Sequence, residues 1–151
     1  MKNNYFGQQI THQAQILNLA LNFLNDEKIF NNLSFNAFNK DSNSLLAILT
    51  GVFYPFAMEH NMSEETLYKF FNEVKNEYEK HPVTFHNFYK SMNTVYYTNL
   101  LLRNNDLTSS LSSFQKMALL FASLFSNLGH RGYTNDYEIQ SASEMAMLYS
   151  N

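Results

Sequence analysis

The chain has 151 residues and a mass of 17.6 kDa, the size of one ordinary domain, and 45% hydrophobic residues set it far from a disordered composition. A formal charge of −3 with a pI near 5.9 argues against a partner made of nucleic acid, which selects a concentrated basic footprint. The absence of cysteine removes disulfides, thiolate nucleophiles and zinc–thiolate sites, so a reducing, cytoplasmic location is the default expectation.

Only 15% of residues are charged, and asparagine fills much of the polar surface instead. With Gly 4 and Pro 2, long helices are favoured over a turn-rich all-β fold. Met1 to Ile10 lacks the continuous apolar core of a signal peptide. The longest apolar stretch, Leu45 to Met58, is broken by Thr50, Gly51, Tyr54 and Pro55, so no membrane span is expected.

In chain order, Ile16, Leu17, Ala20, Leu21, Phe23 and Leu24 fall at helical spacing. Asn31 to Ser44 reads as a polar loop pinned by Phe35 and Phe38. Leu45 to Phe53 reads as a buried helix that Pro55 kinks or ends. Ser63 to Glu79 is the clearest helix, with Ser63 as N-cap and Glu64 and Glu65 in the first turn. Leu67, Phe70, Phe71, Val74 and Tyr78 form its apolar stripe, and His81-Pro82 stops it. A helix from about His86 to Arg103 ends at Asn104-Asn105-Asp106. Another starts near Ser112, with Phe114, Met117, Ala118, Phe121, Ala122 and Phe125 on one face. The pattern ends at Gly129, a loop runs through Gly132 to about Asn135, and a last helix begins near Ala142. Every period is 3.6 and none is 2, so the fold class is all-α.

Polar candidates are few. His86 and Lys90 are predicted one helical turn apart on a common face. His130 and Arg131 follow the end of a helix beside the glycines, and Glu144 opens the last helix. No HExxH, no His/Asp cluster at ligand spacing and no phosphate-cradling glycine loop occurs. Taken singly, each histidine reads as an ordinary surface or half-buried residue.

Taken together, these segments resemble a known family. Val83-Thr84-Phe85-His86-Asn87, Val95 and Leu100-Leu101-Leu102 are similar to the YHN…HA…V…LL segment of the 3′,5′-cyclic nucleotide phosphodiesterases. Met117-Ala118-Leu119-Leu120-Phe121-Ala122, His130-Arg131-Gly132, Asn135 and Leu148-Tyr149 follow the family's next stretch without a gap. The likeness covers about Met62 to Ser150. It implies a compact multi-helix domain, the first part of a catalytic domain cut short. The expected organisation is an N-terminal helix and Asn-rich loop over 1–44, then a partial catalytic domain over 45–151, as a single structural unit.

The family uses two divalent metals, zinc and magnesium, whose bridging hydroxide attacks the cyclic phosphate, with the YH histidine as general acid. By resemblance His86 holds the general-acid position. The ligand positions carry Lys90 in place of histidine and Ser126-Asn127 in place of His-Asp, and Gly129 replaces an acidic residue. Phe85 replaces the usual tyrosine. The family's late aspartate and base-gripping glutamine would fall beyond Asn151. His130, Asn135 and Glu144 match polar positions near the metal site. Neutral oxygens and an ammonium do not hold divalent ions, so no metal cofactor is expected. A metal lowers the pKa of bound water from far above neutrality to about 7, and a lone general acid supplies only about 10²–10⁴-fold. The resemblance therefore implies a degenerate domain without metal-dependent hydrolysis of cAMP or cGMP, and tight cyclic-nucleotide binding is not expected. Three uses remain open: contacts with other proteins, hydrolysis with ligands supplied by a longer chain or a partner, or a helical module that pairs with itself or an intact phosphodiesterase.

Overall fold

The computed structural model describes residues 14–15, 18–20, 22, 32–103 and 108–149. Among these, every regular element is helical. A short 3₁₀ turn at Ala37–Asn39 precedes α1 (Ser42–Glu59), α2 (Glu64–Lys80), α3 (Phe88–Leu102), α4 (Ser113–Phe125), α5 (Asn135–Gln140) and α6 (Glu144–Tyr149). No described helix is long and apolar enough to cross a membrane. Of the first expected helix, Ala20 is described and buried. Its partners Ile16, Leu17, Leu21, Phe23 and Leu24 lie outside the described residues, as do the expected break at Asn104-Asn105-Asp106 and Ser150.

Helix α1 is the centre of the core. Asp41 caps it by accepting from the hydroxyl and N–H of Ser44, and those bonds hold its carboxyl below the usual range. Leu45 through Phe53 are all buried, and the helix packs against α2, α3 and α4. Pro55 does not end it. The chain stays helical to Glu59, because buried Val52, Phe53 and Ala57 on both sides of the proline hold that turn in the core.

Ser63 caps α2, accepting from the Thr66 N–H at 3.2 Å, and His81 ends it before Pro82. Leu67, Phe71, Val74 and Tyr78 are buried as the stripe requires. Phe70 is 41% exposed at the stripe's edge, where it meets Phe121 and Phe125 edge-on. Phe53 joins the two sides of this aromatic cluster, lying 5.0 Å from Phe71 and 4.6 Å from Phe121.

A capping box between Ser112 and Gln115 starts α4. Its buried residues are Leu120 and Leu124, with Met117 and Phe121 partly buried. Phe114, Ala118, Ala122 and Phe125, expected on the same face, are exposed. From Met117 to Phe125 the sequence is apolar nearly all round, so periodicity could not choose the face. Packing along α3 did. Helix α5 was not expected at all; Thr134 caps it, accepting from the Tyr137 N–H at 3.2 Å, with Asp136 and Glu138 in its first turn.

The polar stretch before α1 is tied to α3 by tyrosines. The Phe35 ring stacks on Tyr96 at 3.9 Å, while the Tyr96 hydroxyl donates to the Asn32 carbonyl and accepts from the Asn32 N–H. The Tyr97 hydroxyl, with one proton to give, lies within hydrogen-bond reach of the carbonyls of Leu33 at 3.0 Å and Phe35 at 2.9 Å. Asn93 accepts from the Ala37 N–H at 2.8 Å, and Phe38 stacks on Tyr89.

Phe71, fully buried, lies at the centre of this packing. Phe71→Ala should cost about 3–5 kcal/mol in urea unfolding, whereas exposed Met58→Ala should stay within about 0.5 kcal/mol.

Candidate functional site

His86 is presented by a short bent segment rather than by a helix. Asn87 builds that segment. Its side-chain oxygen caps α3 by accepting from the Lys90 N–H at 3.1 Å, while its amide nitrogen donates to the Thr84 carbonyl at 3.0 Å. Its backbone N–H donates to the Phe85 carbonyl at 3.0 Å. One asparagine therefore starts the helix and folds the residues before it into place. The expected shared face of His86 and Lys90 is not formed, since helical geometry begins only at Phe88. The Lys90 ammonium instead lies over the Phe85 ring, 5.1 Å from its centroid.

A second segment approaches from the end of α4. Ser126 closes that helix, and Gly129 turns the chain at φ +73°. At Gly132, φ is +86° and an added Cβ would come 3.1 Å from Val83 Cγ1. The glycine thus serves twice, by its left-handed backbone and by letting the 130–132 loop lie against the segment that carries His86.

Between the two segments runs a continuous chain of hydrogen bonds. His86 Nδ1 lies 2.7 Å from Asn127 Oδ1. Asn127 Nδ2 donates to the hydroxyls of Ser91 and Ser126, both at 3.1 Å. The Ser91 hydroxyl is 2.8 Å from that of Tyr78, which donates to the Leu124 carbonyl at 2.5 Å. Burial pushes the Tyr78 phenol above its ordinary range, against the opposing bond from Ser91, so it keeps its proton. Neither Tyr78 nor Ser91 was singled out from sequence. The available signal was the hydroxyl on a tyrosine placed within an apolar stripe, because such a group needs a partner once buried.

His130 covers this chain from outside. Its ring stacks on His86 with centroids 3.7 Å apart and 16° between planes. Its Nδ1 accepts from the Gly132 N–H at 2.9 Å, so its neutral form carries the proton on Nε2. Burial, and then the charge of His86, hold it below the ordinary histidine value, with Glu138 acting in the opposite sense.

The remaining candidates separate. Asn135 opens α5 and lines a cleft of about 570 Å³ with His130, Arg131, Glu138, Tyr133 and Met145. Arg131 lies 3.6 Å from Glu138 across one side of it. Glu144 opens α6 on an exposed surface and does not line that cleft.

Lys90, Ser126 and Asn127, which the resemblance sets at ligand positions, do not have the chemistry to hold a divalent ion. The Asn127 oxygen is engaged by His86 and its nitrogen has only protons to offer. The Ser126 hydroxyl donates to the Ser123 carbonyl at 2.9 Å, and Lys90 brings a positive charge. Among the described residues, no three His, Asp or Glu side chains gather in one place.

The depressed His130 makes stability depend on pH. The unfolded chain takes up this proton first, so the stabilisation is complete above the ordinary value of 6.5 and is lost as pH falls through it and through the lower folded-state value. His130→Phe keeps a stacked ring but cannot protonate. Thermal unfolding followed from about pH 8 to about pH 5 should show a shallower acid decline for that variant than for the wild type; equal slopes would assign the decline to other groups.

Comparison with known proteins bears on the same segments. The family model for 3′5′-cyclic nucleotide phosphodiesterase matches residues 85–151. The Caenorhabditis elegans protein "Probable 3′,5′-cyclic phosphodiesterase pde-1" is 34% identical over 74 residues, 49% of this chain and 11% of that protein. The Dictyostelium discoideum "cGMP-specific 3′,5′-cGMP phosphodiesterase 3" is 26% identical over 129 residues, 84% of this chain and 27% of that protein. The chain thus spans between a tenth and just over a quarter of the length of these relatives. No solved structure matches it. His86, α3, α4 and the His130-Arg131-Gly132 loop all fall within the matched range, so it is this part of the chain, residues 85–151, that is similar to the 3′,5′-cyclic nucleotide phosphodiesterases.

Proposed function

We propose that the chain is a phosphodiesterase-like domain that does not hydrolyse cAMP or cGMP by a metal-dependent route and works through protein contacts. The observation that carries this reading is Asn127. Where the resemblance puts a metal-binding carboxylate, a neutral amide joins His86 to Ser91. Without a metal-activated water, His86 alone falls short of phosphodiester hydrolysis by orders of magnitude. On this reading no metal cofactor is resident, residues 1–44 precede a partial catalytic domain over 45–151 within one unit, and the location is cytoplasmic.

The contact surface is supplied by the short C-terminal helices. Ile139, Met147, Leu148 and Tyr149 are more than half exposed there, an apolar grouping that suits a second copy or an intact phosphodiesterase-like chain. One observation favours the alternative that hydrolysis persists with ligands from a longer chain or partner: His86 and His130 remain side by side.

Purified chain supplied with zinc and magnesium should show no turnover of cAMP or cGMP above background. Turnover that a chelator abolishes would overturn the reading. Replacing Lys90→His, Ser126→His and Asn127→Asp together should create zinc binding, seen by calorimetry and elemental analysis, that the natural chain lacks. Stoichiometric zinc in the natural chain would refute the reading as well.

A further inference from the structure

We infer that Tyr78 and Ser91 are positioning residues that hold His86 as its Nδ1–H tautomer, leaving Nε2 as an unprotonated acceptor. The inference deepens the proposed function, resting on its reading that no metal ion sits against Asn127.

The assignment follows from counting protons. A phenol has one, and that of Tyr78 goes to the Leu124 carbonyl. The bond between Tyr78 and Ser91 must then use the serine proton, so Ser91 can only accept from elsewhere. It accepts from Asn127 Nδ2. Ser126 is in the same position, because its own proton goes to the Ser123 carbonyl and it too accepts from Asn127 Nδ2. Two hydroxyls with no proton left to give thus face the amide nitrogen. A flipped Asn127 would set its oxygen against both and lose both bonds. Held this way, the amide presents Oδ1 to His86, and an oxygen without a proton accepts only from Nδ1–H.

The ring is gripped as well as oriented. His130 stacks on one face, and Phe85 meets it edge-on at 5.1 Å. Tyr78 and Ser91 are 5% and 0% exposed, so the relay begins inside the core and solvent cannot reorder its first links. Proton donation to a departing oxygen from Nε2 needs a proton there, and this arrangement keeps it on the other nitrogen. A ligand meeting the neutral His86 ring would therefore have to bring the donor, as a hydroxyl or ammonium group does.

The test is ¹⁵N NMR of the histidine-labelled full chain at about pH 8, above the ordinary histidine range, with His86→Gln to assign the signals. The wild type should show a protonated Nδ1 and an unprotonated Nε2 at His86. Tyr78→Phe and Ser91→Ala leave Ser126 alone to orient the amide, so each should lose the single-tautomer signature and gain a measurable share of the Nε2–H form that free imidazole favours. Asn127→Asp should retain Nδ1–H, because a carboxylate accepts in either orientation. Ser91→Ala removes one small group and keeps the test open if Tyr78→Phe fails to fold. An Nε2–H His86 in the wild type would overturn the assignment, as would an unchanged tautomer in Ser91→Ala. That result in a chain without turnover would leave the proposed function standing, whereas chelator-sensitive turnover in a chain with Nδ1–H would defeat the proposed function and not the tautomer.

Discussion

Tyr78 holds its ring in the apolar core and its hydroxyl among α2, α3 and the end of α4, where burial withholds water from it. A buried phenol has to be matched by protein groups, and here the match is a carbonyl at a helix end and a serine on the neighbouring helix. Each later link takes its direction from that first one. The Ser91 proton is committed by Tyr78, the Asn127 amide is oriented by Ser91 and Ser126, and His86 answers to Asn127. Helix packing and the polar site are thus one construction, with the first bonds inside the core and the last at the surface.

The chemical character of the site follows from its neutrality. A carboxylate in place of Asn127 would favour a positive partner, whether imidazolium or metal ion. The amide has no net charge and offers a donor as well as an acceptor, which suits a chain of hydroxyls and an imidazole. Lys90 does not enter this chain. Its ammonium rests over Phe85, outside the hydrogen-bonded relay. The helices that carry the site are packed together by the rings of Phe53, Phe71 and Phe121, so the hydrogen-bonded relay is supported by the aromatic core.

The loop architecture shows how few residues are needed to assemble the site. Asn87 starts α3 and folds Val83 to His86, and Gly132 lets the opposite loop come up against Val83. The stacked histidines are a consequence of that approach. Where the approach ends, at α5 and α6, the two short helices pack mainly on each other and leave apolar side chains in solvent, so the molecule's polar site and its apolar surface lie on neighbouring parts of the same segment.

Local chemistry was legible in the sequence alone. The helical class, the cap at Ser63, the helix start near Ser112, the stop at His81-Pro82, the buried stripe of α2 and the family likeness all depend on neighbours within a few residues or on a linear motif. The helix does not end at Pro55, where burial overrode a local rule, and α4 buries a different set of residues from the expected one, because an all-round apolar helix offered no preferred face. The tertiary structure alone decided that Lys90 turns to Phe85, that His86 and His130 stack, and that Tyr78 and Ser91 belong to the site. The reason is physical: the hydrogen bonds concerned join groups 13, 36, 41 and 46 residues apart, and a proton's direction is set by its partner in space.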